Sequence, residues 1–287
     1  MTNSDSSSID PNFAQFFSTL RIPQPDSHKG QNGKVLIIGG SELFHAASKW
    51  SLDIASKFVD MVFYASVPSN NELIRQAKGE FWNGLVIELE QVPAYIEEAD
   101  CILIGPGMTR TPDVAELTNR LLKTYPDKKW VVDAGALQMV DPQLLNEHCI
   151  VTPHHRELVM VCEKLTDGKD LSSDLDLKEI PAQLQGATII LKGHVDTVAN
   201  SHQTISVAGG NAGMTKGGTG DVLAGLVAAL YATNDAMTAA VVASYVNKKA
   251  GDELYKNVGP FFNASELVEA VPKVLWGLFT TVGFNAK

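Results

Sequence analysis

Gly209-Gly210-Asn211-Ala212-Gly213-Met214-Thr215-Lys216-Gly217-Gly218-Thr219-Gly220-Asp221 holds six glycines in thirteen residues and runs straight into Val222-Leu223-Ala224-Gly225-Leu226-Val227-Ala228-Ala229-Leu230. The second stretch has the composition of a buried helix, so the first is the loop from which that helix starts. Glycines let the backbone take positive φ and approach a ligand closely. The first N–H groups of a helix point outward with partial positive charge. Loop and helix together make an anion hole. Asp221, in the first turn, would lie beside any phosphate held there, where a carboxylate can take the proton of a hydroxyl that attacks phosphorus. A first-turn acid can also do no more than complement the helix dipole, with the glycines serving a tight turn. The run Gly217-Gly218-Thr219-Gly220 directly before Asp221 favours the anion hole. It is not a Walker A loop, because Lys216 precedes its glycines and no Gly-Lys-Ser/Thr occurs. Gly105-Pro106-Gly107 does not complete a GxGxxG pattern, so a Rossmann dinucleotide site has little support.

Upstream, short apolar runs recur between helix-length amphipathic stretches: Val35–Ile38, Met61–Ser66, Leu85–Leu89, Cys101–Ile104, Trp130–Val132, Cys149–Val151 and Thr188–Leu191. Several lack polar alternation, as strands covered on both faces do, and a mainly parallel sheet is predicted. Val195–Ala199 and Thr204–Val207 alternate around Asn200-Ser201-His202 and read as a hairpin at one sheet edge. Downstream, Asp221–Ala232, Ala236–Leu254 and Ser265–Phe279 are helical, with Pro272 expected to bend or split the last. Residues 1 to about 10 read as a polar tail and 11 to 32 as a short helical piece with a Pro-rich connector. No internal repeat or linker stands out, so residues 33–287 are expected to form one domain.

The 287 residues are 45% hydrophobic and carry a formal net charge of −10. A nucleic-acid partner is not expected, because phosphate backbones require a concentrated basic surface. An anionic ligand must be held by local devices, backbone N–H groups and single lysines. No run of about 18 apolar residues suggests a membrane span, and the Ser- and Asp-rich start lacks the features of a secretory signal. Cys101, Cys149 and Cys162 have no metal-ligand spacing and read as reduced, buried thiols. A cytoplasmic location is the expectation.

Asn211–Gly225 resembles the signature of the ADP/ATP-dependent NAD(P)H-hydrate dehydratases, members of the ribokinase-like superfamily. Further segments match in family order over about residues 33 to 275. Val35–Ser41 resembles the opening strand and turn, and Ile104–Gly107 the Gly-Pro-Gly loop. Val132–Leu137 is similar to the Asp-Ala-Asp-Ala-Leu segment, Val151–Glu157 to Thr-Pro-His-Pro-Gly-Glu, and Leu191–Gly193 to the nucleotide-contacting Lys-Gly. The resemblance implies a three-layer α/β/α ribokinase-like fold, with a mainly parallel central sheet and a C-terminal helical stretch. It also implies repair of hydrated NADH or NADPH, by phosphorylation of the ring hydroxyl and loss of phosphate.

Carried over residue by residue, the resemblance makes Asp221 the base that activates the hydroxyl. It gives Lys192, Gly193, Gly217, Gly218, Thr219 and Gly220 to the nucleotide, and Ala47, Gly107, His154 and Asp221 to the hydrate. ADP or ATP is implied as co-substrate, with Mg2+ arriving on its phosphates and no dedicated protein metal site. A homo-oligomer and a separate epimerase are implied as well, since the usual companion epimerase domain has no room in the chain. Read without the resemblance, Lys192 is a solvated strand end, and His154 a loop histidine or, with His155, a chance metal pair. Gly135 replaces the family's second Asp, His155 and Arg156 replace Pro-Gly, Lys216 replaces a Thr, and the Glu42–Ala47 turn lacks the usual glycines. Two other functions remain compatible with the residues: a ribokinase-like kinase of a small alcohol such as a vitamin precursor, and a non-catalytic nucleotide-binding homologue.

Overall fold

The computed structural model describes residues 9–77, 83–166 and 176–281. The polar tail expected over residues 1 to 10 lies, except for Ile9 and Asp10, outside the described residues. Nine strands form one sheet: β1 (Lys34–Ile38), β2 (Met61–Ala65), β3 (Leu85–Ile87), β4 (Cys101–Ile104), β5 (Lys129–Val132), β6 (Cys149–Val151), β7 (Thr188–Leu191), β8 (Asp196–Ala199) and β9 (Thr204–Val207). Their order is β3-β2-β1-β4-β5-β6-β7-β8-β9. All pairs up to β7 are parallel, and β8 and β9 are added antiparallel as the edge hairpin.

Successive side chains of a strand point to opposite faces, and here both faces are buried. Val35, Ile37, Val62, Tyr64, Leu103 and Val131 feed one core, while Leu36, Ile38, Phe63, Ile102, Trp130 and Val132 feed the other. The first core is closed by α1 (Ala14–Thr19), α2 (Ala46–Ala55), α9 (Thr219–Thr233), α10 (Ala236–Val258) and α11 (Ala264–Thr281). Across the sheet lie α4 (Val92–Glu98), α5 (Pro112–Thr124), α6 (Ala134–Met139), α7 (His155–Glu163) and α8 (Ile180–Gln183). A further helix, α3 (Pro68–Gln76), sits by β3, its Ile74 in the first core.

Four departures from the sequence reading concern packing. The helix α11 runs unbroken through Pro272, because Leu267, Val268, Val271 and Leu275 hold it on the core from both sides of the proline. β2 and β3 end earlier than their apolar runs, at Ala65 and Ile87. α10 continues to Val258, and α9 starts two residues before Asp221. Phe13, Phe16, Phe17 and Leu20, ahead of Gly33, are buried in the same core as α9 and α10. The rings of Phe13 and Phe17 pack against Tyr245 of α10 with centroids 4.7 and 5.6 Å away, the first tilted and the second edge-on. Among the described residues no helix is long and apolar enough to cross a membrane. All three cysteines are unpaired and buried, and burial pushes the thiols up, to about 12 for Cys149 and about 11 for Cys162.

The first strand, β1, lies third from one edge of the sheet; from it the chain moves outward through β2 to β3 and returns to the other side of β1 at β4. At such a reversal the loops leaving the two central strands part in opposite directions, and a crevice opens at the strand C-termini. The loops after β1 and β4 border it: Gly40 N–H donates to the Pro106 carbonyl at 2.7 Å, and Gly105 N–H to that of Ile38 at 3.0 Å.

Candidate active site

Every candidate residue lies along the C-terminal edge of the sheet or at the N-terminus of α9. Gly218 caps α9 with φ +99°, and a Cβ there would stand 2.5 Å from Trp50 and 2.7 Å from the Ala264 methyl. Glycine is therefore required twice over, by conformation and by space. Thr219 is buried, with its hydroxyl 2.7 Å from the Met214 carbonyl and 3.0 Å from that of Lys216, so the side chain closes the turn. Gly217 is exposed, and no atom lies within 4 Å of a Cβ position built on it.

The Asp221 carbonyl accepts the Ser51 hydroxyl of α2 at 2.8 Å, one turn beyond Ala47. Its carboxyl is pushed up to about 7, first by burial and then by the charge of Asp133, with Lys192 opposing both. Asp133, at the end of β5, is 2% exposed; one of its oxygens takes the Thr152 hydroxyl at 2.7 Å and the Lys192 ammonium at 3.0 Å. Burial alone would lower the Lys192 pKa, but the carboxylates of Asp133, Glu157 and Asp221 outweigh it and hold the ammonium above its ordinary value. Lys192 also faces Gly220, its Nζ 3.6 Å from a Cβ position there. Two acids and one lysine thus share a partly desolvated site, which favours one retained proton near neutral pH. The residue after Asp133, Ala134, has φ +44°, a conformation that costs an L-residue about 1 kcal/mol and marks a backbone held by its surroundings.

A cavity of about 580 Å3 opens beside Lys192 and Gly220, lined also by Gly193, Gly209 and Asn247. The Oδ1 atom of Asn247 is buried there without a hydrogen-bond partner among the described residues. At the sheet reversal, Gly107 has φ +73°; a Cβ on it would lie 2.7 Å from the Phe44 carbonyl oxygen and 3.1 Å from the Ala47 methyl. The fold thus brings Ala47 and Gly107 together, and separately Lys192, Gly193 and Gly217–Gly220. His154 joins the second group through a parallel bridge to Lys192, whose N–H donates to the Pro153 carbonyl at 2.8 Å. Its Nδ1 accepts the Glu157 N–H at 3.2 Å, and its own N–H reaches the Glu157 carboxylate at 2.9 Å, a capping box that fixes the ring at the start of α7.

Residues 35–273 match the family described as NAD(P)H-hydrate dehydratase. The chain belongs to the NAD(P)H-hydrate dehydratase family. It is 36% identical over 263 residues to the bifunctional NAD(P)H-hydrate repair enzyme Nnr of Methanocaldococcus jannaschii, covering 89% of this chain and 50% of that protein. It is 31% identical over 264 residues to the ADP-dependent (S)-NAD(P)H-hydrate dehydratase of Cenarchaeum symbiosum, covering 87% and 91%. The chain thus spans about half the length of the bifunctional relatives it matches. Among solved structures, the ADP/ATP-dependent NAD(P)H-hydrate dehydratase of Bacillus subtilis, co-crystallised with ATP and Mg2+, superposes with a TM-score of 0.75 at 25% identity, covering 93% of this chain and 97% of that one. A ribokinase-like superfamily protein of Enterococcus faecalis superposes at 0.79 with 22% identity, covering 94% and 95%. The fold is ribokinase-like.

Within a hydrate dehydratase frame, the departures from the family pattern have local causes. A side chain at Gly135 would overlap the Met108 carbonyl, since the loop after β4 packs directly on the first turn of α6. His155 and Arg156 are exposed on the first turn of α7. Lys216 reaches neither solvent alone nor the glycine loop: its ammonium bonds the carbonyls of Pro260 and Phe262, tying the turn to the segment before α11.

Sequence reasoning missed Asp133 and Lys248. Asp133 falls inside the Val132–Leu137 motif, within which the resemblance gives it no role of its own, although a carboxylate closing a parallel strand is a signal in itself. Lys248 falls on the buried face of α10 with Val241 and Ser244, and its helical spacing from the apolar positions there is the one sequence signal that points to it.

Proposed function

We propose that this chain catalyses nucleotide-driven dehydration of hydrated NADH or NADPH, with ADP or ATP as phosphoryl donor. The observation that carries the reading is the position of Asp221. Its neighbour Gly220 lines the 580 Å3 cavity, its backbone is held by α2 one turn from Ala47, and its carboxyl is pushed up to about 7. A nucleotide fits the cavity by chemistry as well as size. Lys192 supplies a cation next to Gly220, and the N-terminus of α9 supplies N–H groups and a favourable dipole.

The terminal phosphoryl group moves from the nucleotide to the hydroxyl oxygen on the hydrated ring, and the hydroxyl proton passes to Asp221. The carbon–oxygen bond then breaks, phosphate leaves, and a ring proton is lost, which restores the dihydronicotinamide. Phosphate is a far better leaving group than hydroxide, so the nucleotide is consumed for a reason. Lys192 and the α9 N-terminus face the charge that develops on the moving phosphoryl group. Gly107 and Ala47, packed together at the sheet reversal, and His154, held by Glu157 beside Lys192, are the residues that the family resemblance gives to the hydrate. Mg2+ would come as a passenger of the phosphates and would offset their charge there.

The longer, bifunctional relatives support an epimerase activity working alongside this one. Exposed Tyr255, Val258, Phe261 and Trp276 around α10 and α11 support a homo-oligomer, and three unpaired thiols support a cytoplasmic setting. The test is incubation with chemically hydrated NADH and either ADP or ATP, following the absorbance of reduced nicotinamide. Recovery with one nucleotide supports the reading. No recovery with either refutes it, and a stable phosphorylated small alcohol would assign a kinase instead.

A further inference from the structure

One side chain outside the reacting centre holds both walls of the cavity. Lys248, in mid-α10, is 7% exposed, an uncommon setting for an ammonium. Its Nζ lies 3.0 Å from the Gly193 carbonyl, 3.1 Å from that of His194 and 3.2 Å from that of Gly209. The carboxylate of Asp196 completes the cage at 3.1 Å. Asp196 is buried too, and accepts the Gly193 N–H at 2.9 Å and the Ser244 hydroxyl at 2.7 Å. Gly193 and His194 belong to the loop leaving β7, whereas Gly209 opens the loop that leads to α9. One turn along α10, Asp252 accepts the Gly210 N–H and the Asn211 side-chain amide, both at 3.1 Å. The helix therefore grips the glycine-rich loop by a cation on a carbonyl and an anion on an N–H.

Glycine-rich loops have few side chains with which to fix themselves, so their spacing must come from neighbours. Three carbonyl dipoles aimed at one buried point repel each other unless a cation sits there. We propose that Lys248 is a positioning residue, a tethered cation that sets the distance between the Gly193-His194 and Gly209-Gly210 walls and thereby the nucleotide affinity. The inference rests on the reading of this cavity as the nucleotide site. It has a chemical consequence: an oxygen cage that loses its tethered ammonium accepts a small free cation in its place.

The experiment measures ADP affinity by calorimetry for the parent chain and Lys248→Ala, each in potassium, ammonium and tetramethylammonium chloride at one ionic strength. The parent is expected to bind equally in all three. Lys248→Ala is expected to lose about 10- to 100-fold in tetramethylammonium, the usual range for a misplaced site, and to regain most of it in potassium or ammonium. A residue that serves folding alone would show no response to the cation. Parent-like affinity in the variant, or a loss that no cation restores, overturns the proposal. If Lys248→Ala does not fold, the pair Lys248→Met with Asp196→Asn removes both buried charges together. It is expected to show a similar loss, and parent-like affinity in it again overturns the proposal. A parent that binds no ADP in any salt refutes the nucleotide reading of the cavity, and the inference with it.

Discussion

As the proposed base, Asp221 must lose a proton before it can take one, so on that reading its environment sets the pH range of the reaction. With the carboxyl pushed up to about 7, turnover is expected to rise with pH through neutrality and level off above. A rate that is flat between about pH 5 and 9 would remove Asp221 as the base. The same shift acts on stability. Burial favours the neutral carboxyl, so this contribution is whole below the ordinary carboxylate range and is lost as pH rises through about 7. Asp221→Asn should therefore melt roughly 3–8 °C above the parent at about pH 8, with the gap closing in acid; calorimetry across pH checks it. Lys192→Met leaves Asp133 buried with only the Thr152 hydroxyl. It should lower unfolding free energy by roughly 2–4 kcal/mol, a value discounted for the part of Lys192 that reaches solvent, and urea titration would measure it. Asp221 and Lys192 were legible in the sequence because each belongs to a contiguous motif. The roles of Asp133, although it too sits in a contiguous motif, and of Lys248 were not, because they rest on pairings with Lys192 and Gly193 that lie 59 and 55 residues apart along the chain.

At the scale of elements, the turn before α9 separates two glycines that look alike in sequence. Gly218→Ala forces a Cβ against Trp50 and Ala264 at positive φ and is expected to destabilise by about 2 kcal/mol or more. Gly217→Ala meets nothing within 4 Å and should leave the melting temperature unchanged. Equal effects of the two on thermal unfolding would contradict the packing of α9 on α2 and α11. Strand positions were readable because unalternating apolar runs are what a sheet covered on both faces requires. The continuity of α11 was not, since local propensity argues for a break at Pro272 and tertiary contact with α10, α9 and α2 overrides it.

The whole molecule is a sheet with two cores, and its reactive edge depends on the order in which the strands are laid down. The reversal between β1 and β4 opens the crevice, and no single segment of sequence encodes that order. The N-terminal aromatics add a second long-range feature. Phe17 is 1% exposed against Tyr245 and Phe279, so Phe17→Ala should cost about 3–5 kcal/mol, read as a lower denaturation midpoint. A variant as stable as the parent would mean that residues 11–20 do not belong to the cooperative unit. The most direct test of the phosphoryl site is turnover of hydrated NADH with ADP and with ATP by the parent and Asp221→Asn, alongside nucleotide affinity. The expected result is recovery of reduced nicotinamide by the parent and a loss of about 1,000-fold in the variant, with nucleotide affinity retained. Comparable turnover by the variant, or none by the parent with either nucleotide, would contradict it.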